Sequence, residues 1–75
     1  MQVARTYDRT WDEIESMLTD AQNERRQWQF SFDRARKIND RQTMKDAARN
    51  CKALEGVVKT LKWTLGEPGV DTPLE

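Results

Sequence analysis

Residues 44–65, MKDAARNCKALEGVVKTLKWTL, carry apolar side chains at alternating intervals of three and four residues. Seven positions form this repeat, and all seven are apolar: Met44, Ala47, Cys51, Leu54, Val58, Leu61 and Leu65. Because an α-helix turns once about every 3.6 residues, the spacing places these side chains on one face of a helix. Gly66 favours a helix end directly after the repeat, and Pro68 prevents continuation. The stretch therefore predicts a helix over about residues 43–65.

A second repeat with the same period lies upstream. Seven of its nine positions are apolar, and the nine are Trp11, Ile14, Leu18, Ala21, Arg25, Trp28, Phe32, Ala35 and Asn39. Thr10 and Glu13 have the spacing of a capping box, in which each side chain bonds to the other residue's backbone amide. These features predict a first helix over about residues 10–39. They also make Arg25 and Asn39 candidate polar core residues that set the helix register.

Residues 25–32, RRQWQFSF, allow two other interpretations. Aromatic and polar side chains alternate there as they do in a half-buried strand. Arginines beside aromatic rings are also typical of surfaces that stack on nucleic-acid bases. The helical interpretation is favoured because Trp28 and Phe32 both fall on the core repeat, which leaves only Phe30 outside it.

The segment between the two repeats is only a few residues long, and such short connections join antiparallel neighbours. Asp40 or Thr43 can cap the second helix. The sequence therefore predicts an all-α fold, an antiparallel, coiled-coil-like two-helix hairpin. An N-terminal arm (residues 1–9) and a flexible C-terminal tail (residues 67–75) flank it, and the tail is long enough to fold over Trp11.

Of the apolar residues outside both core repeats, five are candidate interface residues: Phe30, Trp63, Met17, Ile38 and Val57. Met17, Ile38 and Val57 each precede a core position by one residue and so widen the apolar face, whereas Phe30 and Trp63 lie nearly opposite it. A widened apolar face is typical of a helix bundle. We therefore expect the hairpin to complete a four-helix bundle by dimerisation or to bind another helical protein.

More ordinary explanations exist for these residues. The three widening residues can pack within the hairpin itself, and single exposed aromatic residues are common on protein surfaces. Arg26 and Lys59 each lie four residues before one of the two outer rings and can cover it. Arg25 can extend its guanidinium to solvent, or it can pair with Glu24, Glu55 or a partner chain.

The charges are segregated along the chain although 13 basic and 13 acidic residues give a net charge of zero. Residues 8–24 carry a net charge of −5 and residues 25–62 carry +7. Six bases cluster around the predicted hairpin tip: Arg34, Arg36, Lys37, Arg41, Lys45 and Arg49. This basic tip is a candidate site for nucleic acid or an acidic protein, although zero net charge argues against a dedicated nucleic-acid binder.

Residue types that carry common catalytic chemistry are scarce. The chain has no histidine, one cysteine and no glycine-rich loop before a helix, so the usual triads, zinc clusters and phosphate-binding loops are absent. We expect no enzyme activity, no cofactor and no metal site, with Cys51 as a small core residue. The lone cysteine and the absence of long apolar runs favour a cytoplasmic protein with no membrane segment.

Residues 52–67, KALEGVVKTLKWTLGE, resemble the C-terminal helix of the small co-chaperones of type III secretion needle subunits. The resemblance rests on the Lys52–Glu55 stretch, on the apolar spacing that follows, on Trp63 and on Gly66. It implies a helical hairpin that binds a needle subunit together with a second chaperone. The preferred hypothesis remains a non-catalytic, self-associating interaction module, typical of bacterial or phage accessory proteins. A chaperone-like subunit that shields a partner's helix is the first alternative, and nucleic-acid binding is the second.

Overall fold

Two α-helices make up the hairpin in a computed structural model that describes residues 9–74. Helix α1 spans Trp11–Lys37, and helix α2 spans Arg41–Thr64 and packs against α1. No strand occurs within the described residues, and the alternating stretch of residues 28–32 lies inside α1. The predicted all-α hairpin is therefore confirmed. Most of the predicted N-terminal arm, residues 1–8, lies outside the described residues.

The capping box at the start of α1 is present as predicted. The Glu13 amide donates to Thr10 Oγ1 at 3.1 Å, and the Thr10 amide donates to Glu13 Oε1 at 3.3 Å. The bond from the Thr10 amide, followed by the one from its hydroxyl, holds the pKa of the Glu13 carboxyl below its ordinary value. These bonds satisfy amides that a helix start would otherwise leave without partners.

Helix α1 ends at Lys37, two residues before the predicted end, because Asn39 adopts a left-handed conformation with φ of 58°. The Asn39 amide donates to the Arg36 carbonyl at 3.3 Å, and the Asp40 amide donates to the Ala35 carbonyl at 2.9 Å. This pair of bonds is a Schellman motif. Asn39 is exposed in the turn, so its predicted core position is wrong. Asparagine suits the turn because it tolerates positive φ better than most residues.

Helix α2 begins at Arg41, two residues before the predicted start, because Asp40 rather than Thr43 is its N-cap. The carboxylate of Asp40 accepts from the Thr43 amide at 3.1 Å and from the Thr43 hydroxyl at 2.6 Å. The hydroxyl bond, followed by the amide bond, lowers the pKa of Asp40 from its ordinary value. One residue thus completes the end of α1 and starts α2.

Helix α2 ends in a second Schellman motif centred on Gly66, whose φ is 73°. The Gly66 amide donates to the Trp63 carbonyl at 3.0 Å, and the Glu67 amide donates to the Lys62 carbonyl at 3.1 Å. Beyond it, the tail turns back along the hairpin, and Val70 is half-buried in a groove that Val58 also lines. The tail therefore lies beside α2 rather than over Trp11, which stays exposed.

The core between the helices is thin. Five side chains are buried, and three of them are alanines: Leu18, Ala21, Ala35, Ala47 and Val58. Leu18, Ala21 and Val58 form one cluster, against which Leu54, Leu61 and Leu65 pack. Trp28 and Phe32, the two aromatic members of the core repeat in the middle of α1, are only half-buried. No large side chain in the described part of the chain is fully buried.

Candidate interaction surface

Two faces flank the core, one on each side of the plane that contains the two helix axes. Met17 and Val57 each precede a buried residue, Leu18 and Val58, by one position. Because the helices are antiparallel, residues in that position on α1 and α2 lie on the same side of the hairpin. We name this side the Met17–Val57 face, and it includes Glu24, Ser31 and Asn50, which occupy the same position in their own repeats.

The opposite side is the tail face. Helix α1 contributes Arg25 and Gln29 to a groove on this side, and α2 contributes Ala48 and Glu55. The next groove along the same side contains Gly69, Val70 and Asp71 of the tail beside Val58 and Lys62. The tail thus covers part of this face.

The Met17–Val57 face exposes apolar side chains to solvent. Met17 is 56% exposed and Val57 is 41% exposed. Behind them Trp28, Leu54 and Leu61 are half-buried. The structure therefore places two of the candidate interface residues on the same side of the hairpin, together with these half-buried apolar side chains. Ile38 lies apart from them as the C-cap of α1, where its side chain is exposed at the hairpin tip.

Phe30 and Trp63 are exposed on the outer edges of the hairpin, at 66% and 54%. Each lies opposite the core side of its own helix, and the core sides of α1 and α2 face each other. The two rings therefore point in opposite directions, and one hairpin cannot present them as a single surface. Phe30 shares a shallow groove with Arg26, whose guanidinium donates to Asn23 Oδ1 at 3.3 Å.

Arg25 reaches from its core position to the tail face and pairs with Glu55. Its Nη2 lies 3.4 Å from Glu55 Oε1, and the two side chains are 42% and 45% exposed. Lys52 lies on the other side of the same carboxylate, at 3.9 Å. The Cys51 thiol donates to the Arg25 carbonyl at 3.7 Å. Of the ion-pair partners that the sequence allows for Arg25, Glu55 is the one that the structure shows.

The basic tip is fully displayed to solvent. None of its six bases forms an ion pair with another residue of the described chain. All six are exposed: Arg34, Arg36, Lys37, Arg41, Lys45 and Arg49. Three acids, Asp33, Asp40 and Asp46, lie near them; Asp40 caps α2 and Asp46 accepts from Gln42 at 3.1 Å, and the six bases outnumber the three acids. The tip therefore carries an uncompensated positive charge.

Within residues 9–74, no group of acidic, histidine or cysteine side chains could hold a metal ion. Neither helix is both long enough and apolar enough to cross a membrane. Comparison of the chain with protein-family models, with curated proteins and with solved structures finds no match. Functional inference therefore rests on the faces and charges of the hairpin itself.

Proposed function

We propose that this chain is a non-catalytic protein–protein interaction module that self-associates through the Met17–Val57 face and forms a four-helix bundle. The observation that carries the proposal is the thin core, in which no large described side chain is fully buried while Met17 and Val57 remain exposed. A chain of this size gains little stability from such a core. A second hairpin on this face would bury the two residues together with the half-exposed Trp28, Leu54 and Leu61.

The size of the face suits a stable contact. Helix α1 has 27 residues, which is roughly 40 Å at 1.5 Å per residue. Two packed helices are about 20 Å wide. The face therefore measures on the order of 800 Å², which is the area that each partner contributes to a protein interface of standard size. Met17, Val57 and their half-buried neighbours supply its apolar part.

Analytical ultracentrifugation of two matched double variants tests this proposal. Met17→Ser with Val57→Ser removes the exposed apolar residues of the proposed interface, whereas Phe30→Ser with Trp63→Ser removes two further exposed apolar residues from the outer edges. We expect the wild type to sediment as a dimer at tens of micromolar, the first variant as a monomer and the second as a dimer. A monomeric wild type, or a dimer lost only in the Phe30 and Trp63 variant, would contradict the proposal.

A chaperone-like role is the alternative that the same surface supports. An amphipathic helix of another protein could occupy the Met17–Val57 face by laying its apolar side into it. The resemblance of residues 52–67 to type III secretion co-chaperones favours such a partner. A wild-type chain that sediments as a monomer would favour this alternative over self-association.

Nucleic-acid binding is the second alternative, and the exposed basic tip supports it. Six bases without ion pairs can contact several phosphates, and binding of this kind weakens steeply as the salt concentration rises. All six tip residues are lysine or arginine, and none supplies an aromatic ring on which a base could stack. The tip therefore favours contact with the phosphate backbone.

A further inference from the structure

The hairpin is electrically polarised along its length. The tip half, residues 25–53, carries nine bases and three acids, a net charge of +6. The half at the open end, residues 9–24 and 54–74, carries three bases and eight acids, a net charge of −5. The middles of the two halves are roughly 20 Å apart along the helix axes. That separation is about two Debye lengths at physiological salt, so the halves neutralise each other little within one chain.

Ion pairs inside the hairpin leave this polarity almost intact. Three ion pairs within residues 9–74 are Arg9–Glu13, Arg25–Glu55 and Lys52–Glu55. Arg9–Glu13 lies within the open half, whereas the two pairs with Glu55 join bases of the tip half to a single carboxylate of the open half. One acid therefore serves two bases, and most charges in each half still face solvent.

We infer that the second copy in the proposed dimer packs antiparallel to the first, with the tip of each hairpin over the open end of the other. The inference rests on the proposed self-association. An antiparallel pair sets +6 against −5 twice, whereas a parallel pair sets +6 against +6 and −5 against −5. Helices that pack face to face lie about 10 Å apart, which is within one Debye length, so the difference acts between the copies. The charge pattern of this chain is thus complementary to itself.

The arrangement has a two-fold axis perpendicular to the helices, and it brings α1 against α1 of the second copy. On the Met17–Val57 side of α1, Glu13 and Asp20 lie toward the open end and Arg34 lies toward the tip. Arg34 of one copy then approaches Glu13 of the other. Two local costs follow from the midpoint of α1 at Glu24: Glu24 comes near Glu24 of the second copy, and Met17 comes opposite Ser31.

The orientation can be tested with the unmodified chain, by whether the dissociation constant of the dimer rises or falls as salt is added. The dissociation constant, measured by sedimentation between about 50 and 500 mM sodium chloride, should rise several-fold, because salt screens attraction between opposite halves. In a parallel dimer salt would screen repulsion, and the dissociation constant would fall. A dimer that tightens with salt would therefore overturn the inference.

Distances between spin labels provide a second test, with the full chain carrying Cys51→Ala and a single label on Gln42→Cys at the tip. In the antiparallel dimer the two tip labels should lie roughly 40 Å apart, and in a parallel dimer within about 20 Å. A mixture of the Gln42→Cys and Ser16→Cys chains should show a short distance between copies only if they are antiparallel. A dimer with close tip labels overturns the orientation alone, whereas a monomeric wild type removes the proposed function and the orientation with it.

Discussion

Asn39 shows how one residue can satisfy a pattern and still lie outside the element that the pattern predicts. It occupies a core position of the three–four repeat, but its φ of 58° places it in the turn. Spacing records only where a side chain would point if the helix continued. The residues that end a helix act through backbone conformation, and the Asn39–Asp40 pair is the sequence signal that marked this end.

Substitution of Asn39 tests its role in the turn. Asn39→Ala should lower the free energy of unfolding by about 1 kcal/mol, because alanine is disfavoured in the left-handed region. Asn39→Gly should keep or raise it, since glycine adopts positive φ without steric cost. Thermal unfolding followed by circular dichroism measures both changes. Equal midpoints for the alanine and glycine variants would show that this conformation does not limit stability.

Arg25 illustrates a second limit of sequence reasoning at this scale. The repeat identified it as the polar member of the core, and Glu55 was one of three partners that the sequence allowed. The choice depends on how the two helices are offset and rotated, which the repeat does not specify to within one turn. Both side chains of the observed pair are more than two-fifths exposed. Because solvent screens an exposed ion pair, this one adds little to stability, and its main effect is to fix the position of the Arg25 guanidinium.

At the scale of the helices, the sequence predicted most of what the structure contains. Both helices follow from their repeats, and the Thr10–Glu13 capping box is present as predicted. The boundaries at the turn differ by two residues on each side, because a single residue, Asp40, both closes the motif that ends α1 and caps α2. Helix propensity and apolar spacing are read for each helix separately, so they do not predict that one residue both ends α1 and caps α2.

The two caps predict how stability depends on pH. Hydrogen bonds lower the pKa of Glu13 and of Asp40 in the folded chain. A carboxyl with a lowered pKa stabilises the fold above its unfolded-state pKa, and this stabilisation is lost as the pH falls through the folded-state value. The unfolding midpoint should therefore be steady above about pH 5 and decrease below about pH 4.

Asp40→Asn provides the control for this acid dependence, because asparagine caps a helix about as well as aspartate but does not titrate. The variant should unfold near the wild-type midpoint at neutral pH and lose less stability than the wild type as the pH falls from about 5 to about 3. Circular dichroism melts at a series of pH values measure the difference. Parallel curves for the two chains would show that the Asp40 carboxylate contributes nothing to the acid transition.

For the molecule as a whole, the sequence predicted a hairpin with spare apolar surface but not where that surface lies. The sequence allowed Phe30 and Trp63 to belong to one interface, but in the packed hairpin they lie on opposite edges. Met17 and Val57 share a face because each precedes a core position on one of two antiparallel helices, and the tail lines a groove on the other side. The placement of the tail depends on its contacts with α2, and its sequence has no periodicity from which those contacts could be predicted.

Self-association should make the stability of the whole molecule depend on its concentration. A dimer that is lost on unfolding gains stability as the protein concentration rises. The thermal midpoint should therefore increase between about 2 and 200 μM (a hundredfold range) for the wild type. It should be constant for the variant that carries Met17→Ser and Val57→Ser. A wild-type midpoint that does not change with concentration would contradict coupled folding and association.

The double role of Asp40 also constrains how chains of this design can vary in evolution. Most surface turns accept insertions and deletions. Here one inserted residue would assign the amide that bonds to Ala35 and the carboxylate that caps α2 to two different residues, whereas Asp40 now supplies both. It would also rotate α2 by about 100° about its axis and move Val57 off the face that it shares with Met17. Length variation among descendants should therefore occur at the open end, where added or removed residues leave the turn and the register of the remaining core positions unchanged.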